Sequence, residues 1–287
     1  MKKYELVKDM TKTIKDVTGK EIILYRIRAL KDIDSTLPIH KGDLGGWVEK
    51  EENLSQEGKC WIYNGSMVFG NAKVSGNARV YGNARVYGDA MVYGDAMVYG
   101  DARVYDNTIV LVNVEVCCNA RVSGDAKVYG NARVYGNAKV SGNARVYDNA
   151  RVYSNARVYG NARVYDNTIV LGNAEVCGNA SVSGNARVSG NARVYDNAEV
   201  CGDAEVCGDA IINSNEDYTT IRGFGTKQRH TTFYRCSNNI IRVNCGCFNG
   251  TIDEFREQVK NTREGKIARE YLMIADLMEM HFKESEE

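Results

Sequence analysis

The chain has 287 residues, 44% of them hydrophobic and 26% charged, and its 37 Lys and Arg are matched by 37 Asp and Glu for a formal net charge of zero. Strong long-range steering of an anionic partner is not implied by a neutral total, although the charge is unevenly distributed. No stretch is long and apolar enough for a membrane span, and polar residues follow Met1-Lys2-Lys3 where a secretory leader needs an apolar core, so a cytoplasmic protein is expected. Nine cysteines, an odd number, argue for reduced thiols rather than an extracellular disulfide framework.

Residues 1–58 read as a β cap. Val17-Thr18-Gly19-Lys20 turns into an apolar alternation at Ile23, Tyr25, Ile27 and Ala29, the signature of a hairpin. Lys41-Gly42-Asp43-Leu44-Gly45-Gly46-Trp47-Val48-Glu49 follows. A glycine cluster can cradle phosphate, but the Gly-Lys-Ser/Thr ending and the following helix of a phosphate loop are missing. Capping is the reading preferred, with Trp47 and Trp61 covering the open end of an apolar column.

From Asn71 to Ser214 one six-residue phrase, Asn71-Ala72-Lys73-Val74-Ser75-Gly76, recurs twenty-four times without insertion or deletion. Strand side chains alternate, so Ala at the second position and Val at the fourth share one face while the third and fifth positions share the other. Gly or Asp followed by Asn or Asp supplies a sharp corner. A strand and a corner every six residues give a coil of three strands, with an inner column of Val80, Val86, Val92 and their successors to Ile212 beside Ala, except at Thr108, Val114 and Thr168. Carried backwards, the frame takes in Cys60, Ile62, Ser66 and Val68, which places the start near Lys59 and gives between eight and nine coils. The sole proline, Pro38, lies outside the repeats, as it must where every strand amide bonds the next coil.

This small-x-aliphatic hexad resembles the repeat of left-handed parallel β-helices. The Gly42-Asp43-Leu44-Gly45-Gly46-Trp47 entry, the Asn53-Leu54-Ser55-Gln56-Glu57-Gly58 stretch and the Asn-Ala-Arg-Val hexads resemble the YdcK-like β-solenoid proteins of bacteria and their phages. The fold class expected is therefore mainly β: a left-handed parallel β-helix, a three-sided hexapeptide solenoid at 59–214, with an N-terminal β cap at 1–58 and a small C-terminal α+β module at 215–287. Many left-handed β-helices transfer acyl groups from acetyl-CoA, using a His on a loop that interrupts the coils near a subunit interface. Here nothing interrupts the coils, and His40, His230 and His281 all lie outside them.

Outward positions offer one stripe. Every third hexad returns to one face, which lines up Arg85, Arg103, Arg121, Lys139 and Arg157 beside Tyr87, Tyr105 and Tyr159. Basic residues interleaved with aromatics suit single-stranded nucleic acid or another polyanion, yet solvated outward ladders with Asp corners nearby are the simpler reading, and nucleic acid is not the expected partner. The segment Tyr105–Leu111 recurs as Tyr165–Leu171 after ten hexads, which rotates the copy onto another face. A precise site on the coils would be scrambled by that shift.

After Asn215 the hexads stop. Thr231 to Cys236 and Ile240 to Asn244 read as a hairpin around Ser237-Asn238-Asn239, Thr251-Ile252-Asp253-Glu254 is a capping box opening a helix to about Val259, and a second helix runs from about Lys266 to Phe282. That helix is apolar around much of its circumference, with Leu272, Met273, Leu277 and Met280 outside the stripe of Ile267, Tyr271, Ile274, Ala275, Met278 and Phe282. These four are the candidate oligomer contact, and a homo-oligomer through this module is expected. Through Thr231-Thr232-Phe233-Tyr234-Arg235, Cys245-Gly246-Cys247-Phe248 and Arg269-Glu270-Tyr271-Leu272 the module resembles a C-terminal segment of phage and prophage proteins of Gram-positive bacteria.

Two further sites are weighed there. His230, Cys236, Cys245 and Cys247 have zinc-ligand chemistry, but the hairpin register sets Cys236 at the far end from Cys245 and puts His230 on the opposite face from Cys245 and Cys247, so no metal is expected. Arg222, Lys227, Arg229, His230 and Thr231, in a loop with Gly223 and Gly225, form a candidate anion site. The function expected is a non-enzymatic phage or prophage scaffold or binding protein without a cofactor or catalytic residues, presenting its terminal modules to a host protein or an anionic ligand. A host-defence component is one such partner, and for a phage protein the compartment is the host cytoplasm. The alternative is an acyl- or nucleotidyl-transferase with a site between subunits.

Overall fold

The computed structural model describes residues 2–16, 18–34, 37–225 and 228–283, the side chain of Arg229 excepted. The chain is mainly β and divides into two compact units, Met1–Gly160 and Asn161–Glu287. The boundary falls inside the hexads, so each unit contains coils together with one of the flanking segments.

In the first unit β1 (Tyr4–Lys15) and β2 (Glu21–Ala29) form an antiparallel hairpin, and β2 pairs antiparallel with β3 (Leu44–Val48). Leu24, Ile27 and Ala29 are buried while Ile23 is 50% exposed. The simple alternation through Ile23 and Tyr25 therefore fails. Both neighbours shift register here, β1 carrying extra residues between Val7 and Thr11 and β3 one between Leu44 and Trp47, and along this stretch the buried side of β2 passes from Leu24 to Ile27 and Ala29.

β3 then turns parallel to the coils. Trp47 pairs with Met67 and Val48 with Val68, and Leu54 bridges Val74. Coil geometry thus starts before Lys59. Its first turn spans 20 residues from Val48 to Val68 against 18 from Ile62 to Val80, and those two extra residues hide it from a strict hexad frame. Gly45 and Gly46 are required by this approach, since a Cβ on either would lie 2.6 Å from the carbonyl oxygens of Ile62 and Tyr63 respectively. Val48, fully buried, continues the inner column. Trp47 lies on the flank of the column instead of over its end, beneath the Arg26 guanidinium at 5.0 Å and against the Leu24, Met67 and Phe69 cluster. Trp61 occupies an outward position but is 1% exposed, because the Tyr4 ring covers it edge-on at 6.3 Å.

Seventeen short parallel strands follow in this unit, from Trp61–Ile62 to Arg157–Val158, and nine in the second, from Arg163–Val164 to Ile211–Ile212. Within each unit a strand pairs with the strand three places along the chain, as Arg103 pairs with Arg85 and Arg121. The Ala and Val column is fully buried. In each hexad the amides of positions one, three and five donate to carbonyls of the next coil, as in Asn77 to Gly94, Lys73 to Ala90 and Ser75 to Val92. Asn side chains at the corners repeat the pattern, Asn119 Nδ2 donating to Asn137 Oδ1 at 3.2 Å. The two inward threonines avoid an orphaned hydroxyl by donating to the carbonyls of Tyr105 and Tyr165.

Position six is left-handed from Gly76 to Gly208, with Ser214 extended where the repeat ends, and it is mostly Gly because a Cβ there meets the next coil. On Gly94 that atom would lie 2.8 Å from the Val112 amide nitrogen. Asp106, at φ 61, compensates by accepting from the Gly124 amide at 3.0 Å. Val112, at φ 71, is β-branched and has no carboxylate with which to do the same.

The second unit ends in a four-stranded antiparallel sheet in chain order, β4 (Tyr218–Phe224), β5 (Arg229–Arg235), β6 (Ile241–Cys245) and β7 (Phe248–Thr251), followed by α1 (Ile252–Thr262) and α2 (Gly265–Lys283). The hairpin read from sequence is its central pair. Thr251 caps α1 by accepting from the Glu254 amide while Glu254 returns a bond to the Thr251 amide. Phe233, Val243, Phe255, Val259, Tyr271, Ile274, Ala275 and Met278 form the core between sheet and helices. Among the described residues no helix is long and apolar enough to cross a membrane.

Two substitutions test the column and the corner. Val134→Asp places an unpaired carboxylate where no water reaches and is expected to cost about 4 kcal/mol or more, whereas Arg133→Asp should cost about 1 kcal/mol at most; equal midpoints in urea would reverse the inward and outward assignment. Val112→Asp should stabilise by about 1 kcal/mol, by replacing a strained residue with one that can bond the next coil. The check is a rise in the calorimetric melting temperature.

Candidate functional site: the polar seam on the last coil

β5 lies along the last coil of the second unit, and its alternate side chains meet the coil's outward positions one for one. His230 Nε2 is 2.9 Å from Asp203 Oδ2. Thr232 Oγ1 accepts from the Glu205 amide at 3.1 Å. The Tyr234 hydroxyl is 3.1 Å from Cys207 Sγ. The two strands thus share a period of two, which positions three polar pairs in a row. The other face of β5 sends Thr231 and Phe233 into the module, where both are buried.

Surrounding groups complete the seam. Asn249 Nδ2 donates to Cys207 Sγ at 2.9 Å and to the Tyr234 hydroxyl at 2.8 Å, and Asn244 Nδ2 donates to Glu205 Oε2 at 2.8 Å. Burial holds the Tyr234 phenol above its ordinary value, so it stays protonated. Beyond the first pair a cleft opens, lined by Asp203, Glu205, Arg222, His230, Thr232, Asn244 and Gly246. Two carboxylates, one guanidinium and an imidazole already bonded to a carboxylate make it mixed in charge.

The sequence-derived anion loop is distributed differently. Arg222 and His230 share the cleft, but Asp203 holds the imidazole. Thr231 faces away, its hydroxyl donating to Cys245 Sγ at 3.1 Å. Lys227 and the Arg229 side chain lie outside the described residues. Of the thiols weighed as zinc ligands, Cys236 is buried at the Ala210 bridge, Cys245 is bonded by Thr231 and Cys247 is exposed. On α2, Met273, Leu277 and Met280 are 71%, 51% and 50% exposed, while Leu272 packs against the module's own core. The basic stripe is in register, Arg85, Arg103, Arg121, Lys139 and Arg157 pairing in succession on one face of the first unit. Sequence reading missed Asp203, Glu205 and Cys207 as partners of β5; their signal was the break in Arg and Lys at the third position of the last hexads.

Comparison with known proteins adds the repeat. Segments 72–86, 84–98, 126–142, 138–154, 156–172 and 186–202 match the family described as YdcK Beta solenoid repeat. Over 75 residues the chain is 36% identical to a protein of Escherichia coli (strain K12) named "Uncharacterized acetyltransferase YdcK". The alignment takes in 25% of this chain and 22% of that protein, so the chain spans about a fifth of the relative's length. What is shared is a β-solenoid repeat.

Thiol reactivity checks the placement of the cysteines. Burial pushes Cys117 and Cys236 up to about 11, so at pH 8 both remain thiols, and their labelling should rise only as pH climbs toward that value. With a disulfide reagent at pH 8 the exposed Cys118, Cys201 and Cys247 should react first, read by mass spectrometry of the labelled peptides.

Proposed function

We propose that this β-solenoid repeat protein is a non-enzymatic binding scaffold in the cytoplasm, and that α2 is the face it offers to a protein. The observation that carries the reading is how the module's side chains are used. His230, Thr232 and Tyr234 are engaged in the seam with the last coil, whereas α2 keeps Met273, Leu277 and Met280 in solvent at spacings of four and three, one stripe of a helix. A second copy of the chain is the first occupant to test. A phage or prophage origin, supported by the module's resemblance, makes a host protein the other.

Met273→Lys combined with Leu277→Lys alters two exposed side chains and should leave the melting temperature nearly unchanged. Light scattering should show the subunit number falling to one. An assembly that survives the double change removes α2 from the interface.

A transferase reading is favoured by the His230–Asp203 pair beside Arg222, in the way a carboxylate orients a general base, and by the acetyltransferase name of the partly matching Escherichia coli protein. If that reading holds, the purified protein consumes acetyl-CoA with an acceptor and His230→Ala abolishes the turnover.

A further inference from the structure

The basic face of the first unit has a property that its other two faces lack. On the second face the third positions run Trp61, Arg79, Met97, Glu115, Arg133 and Arg151, and on the third Lys73, Met91, Ile109, Lys127 and Arg145. Neither carries more than two basic residues in succession. Where an acid enters a ladder it is used, Glu115 pairing with Arg133 at 3.6 Å. On the first face five basic residues follow one another without an acid in the row, all exposed. Among the described residues Arg85, Arg103, Arg121 and Lys139 make no ion pair.

Such a ladder works against the fold. Like charges directly opposite each other on paired strands are destabilising, and coils stack at about 4.8 Å. A cost repeated on successive coils with no structural return is what a binding surface shows before its ligand arrives. The neighbouring row defines the ligand further. Phe69, Tyr87 and Tyr105 stack on one another with centroids 4.9 and 5.0 Å apart and planes within 4°. The faces between these rings are occupied by each other, so a base cannot slip between them. After them the row continues with Ser123, Ser141 and Tyr159, in register with Arg121, Lys139 and Arg157, each carrying a hydroxyl. A line of cations beside a line of hydroxyls matches a chain that carries anionic groups and hydroxyls together.

We propose that the face bearing Arg85, Arg103, Arg121, Lys139 and Arg157 binds an anionic polysaccharide laid along the stacked coils. The row of charge follows the direction of stacking, so one extended chain meets successive coils, and the affinity accumulates over several modest contacts. Corner residues Asp101 and Asp106 lie next to the row, but Asp101 accepts from Asn83 and Asp106 from the Gly124 amide, which holds both carboxylates at the corners. This site is separate from α2 and does not rest on its role.

The test uses the full chain with heparin as the probe, followed by calorimetry at low and moderate salt. Arg103→Ser, Arg121→Ser and Lys139→Ser together should weaken binding by roughly tenfold or more and flatten its salt dependence, with a melting temperature equal to or above that of the parent. The matched control, Arg79→Ser, Arg133→Ser and Arg151→Ser, removes the same charge from the second face and should bind heparin like the parent. Equal losses in both variants, no binding by the parent, or capture of single-stranded oligothymidylate or inorganic polyphosphate as tight as that of heparin would each overturn the proposal.

Discussion

Backbone polarity is the constraint on which everything else in this structure depends. Each coil donates its amides to the carbonyls of the coil that follows it, so a stack has one edge of bare carbonyls and one of bare amides, and buried orphans of either kind are costly. The entry end answers with donors. Lys3 Nζ reaches the carbonyls of Glu57 and Cys60, the Tyr4 hydroxyl those of Glu51 and Leu54, and Asn53 Nδ2 those of Gly70 and Ala72. Burial lowers the Lys3 ammonium below its ordinary value, the cost of placing a cation where carbonyls need one. The exit end answers with acceptors: Asn215 Oδ1 for the Glu199 amide, the Tyr218 hydroxyl for Cys201 and Thr232 Oγ1 for Glu205.

This polarity gives the flanking segments a first duty that is structural. The sheet carrying β5 closes the amide edge of the last coil, and Arg235 ties the closure to the helices by bonding Asp217 at 3.2 Å and the Phe282 carbonyl at 3.1 Å. Residues with catalytic chemistry, His230 and Cys207 among them, are found where an edge has to be sealed. Function is then sought on surfaces that closure leaves alone, the outer stripe of α2 and the outward rows of the coils.

Those outward rows are free to vary because the inner ones are not. Ala and Val fill a column with no room for change, and the corner is held to residues that accept a left-handed backbone. Between Asn71 and Ser214, positions three and five are half-buried or exposed except at Cys117, and carry Arg, Lys, Met, Ile, Glu or Ser, and Tyr, Ser, Cys, Leu or Asn. A face can therefore acquire a charge pattern without altering the fold, which is how a spacer can also become a surface.

The hexad alone determined the coil, its inner column and its corners, because a period of six with two buried positions admits one way of folding back on itself. It also gave the capping box of α1 and the limits of both helices to within a few residues, since those signals are local. The entry coil was illegible because its 20-residue turn breaks the period and its pairing partners, Val48 with Val68 and Leu54 with Val74, are fixed by contact across the coil. β4 and β7 were missed because neither alternates clearly, and each is a strand only through its neighbour in the sheet. The grouping of Asp203, Glu205 and Cys207 with His230, Thr232 and Tyr234 was likewise beyond reach, for it depends on which strand of the module comes to lie on the bare amide edge. Sequence decides what repeats; only the tertiary structure decides what closes the repeat, because closure is a match between two edges far apart in the chain.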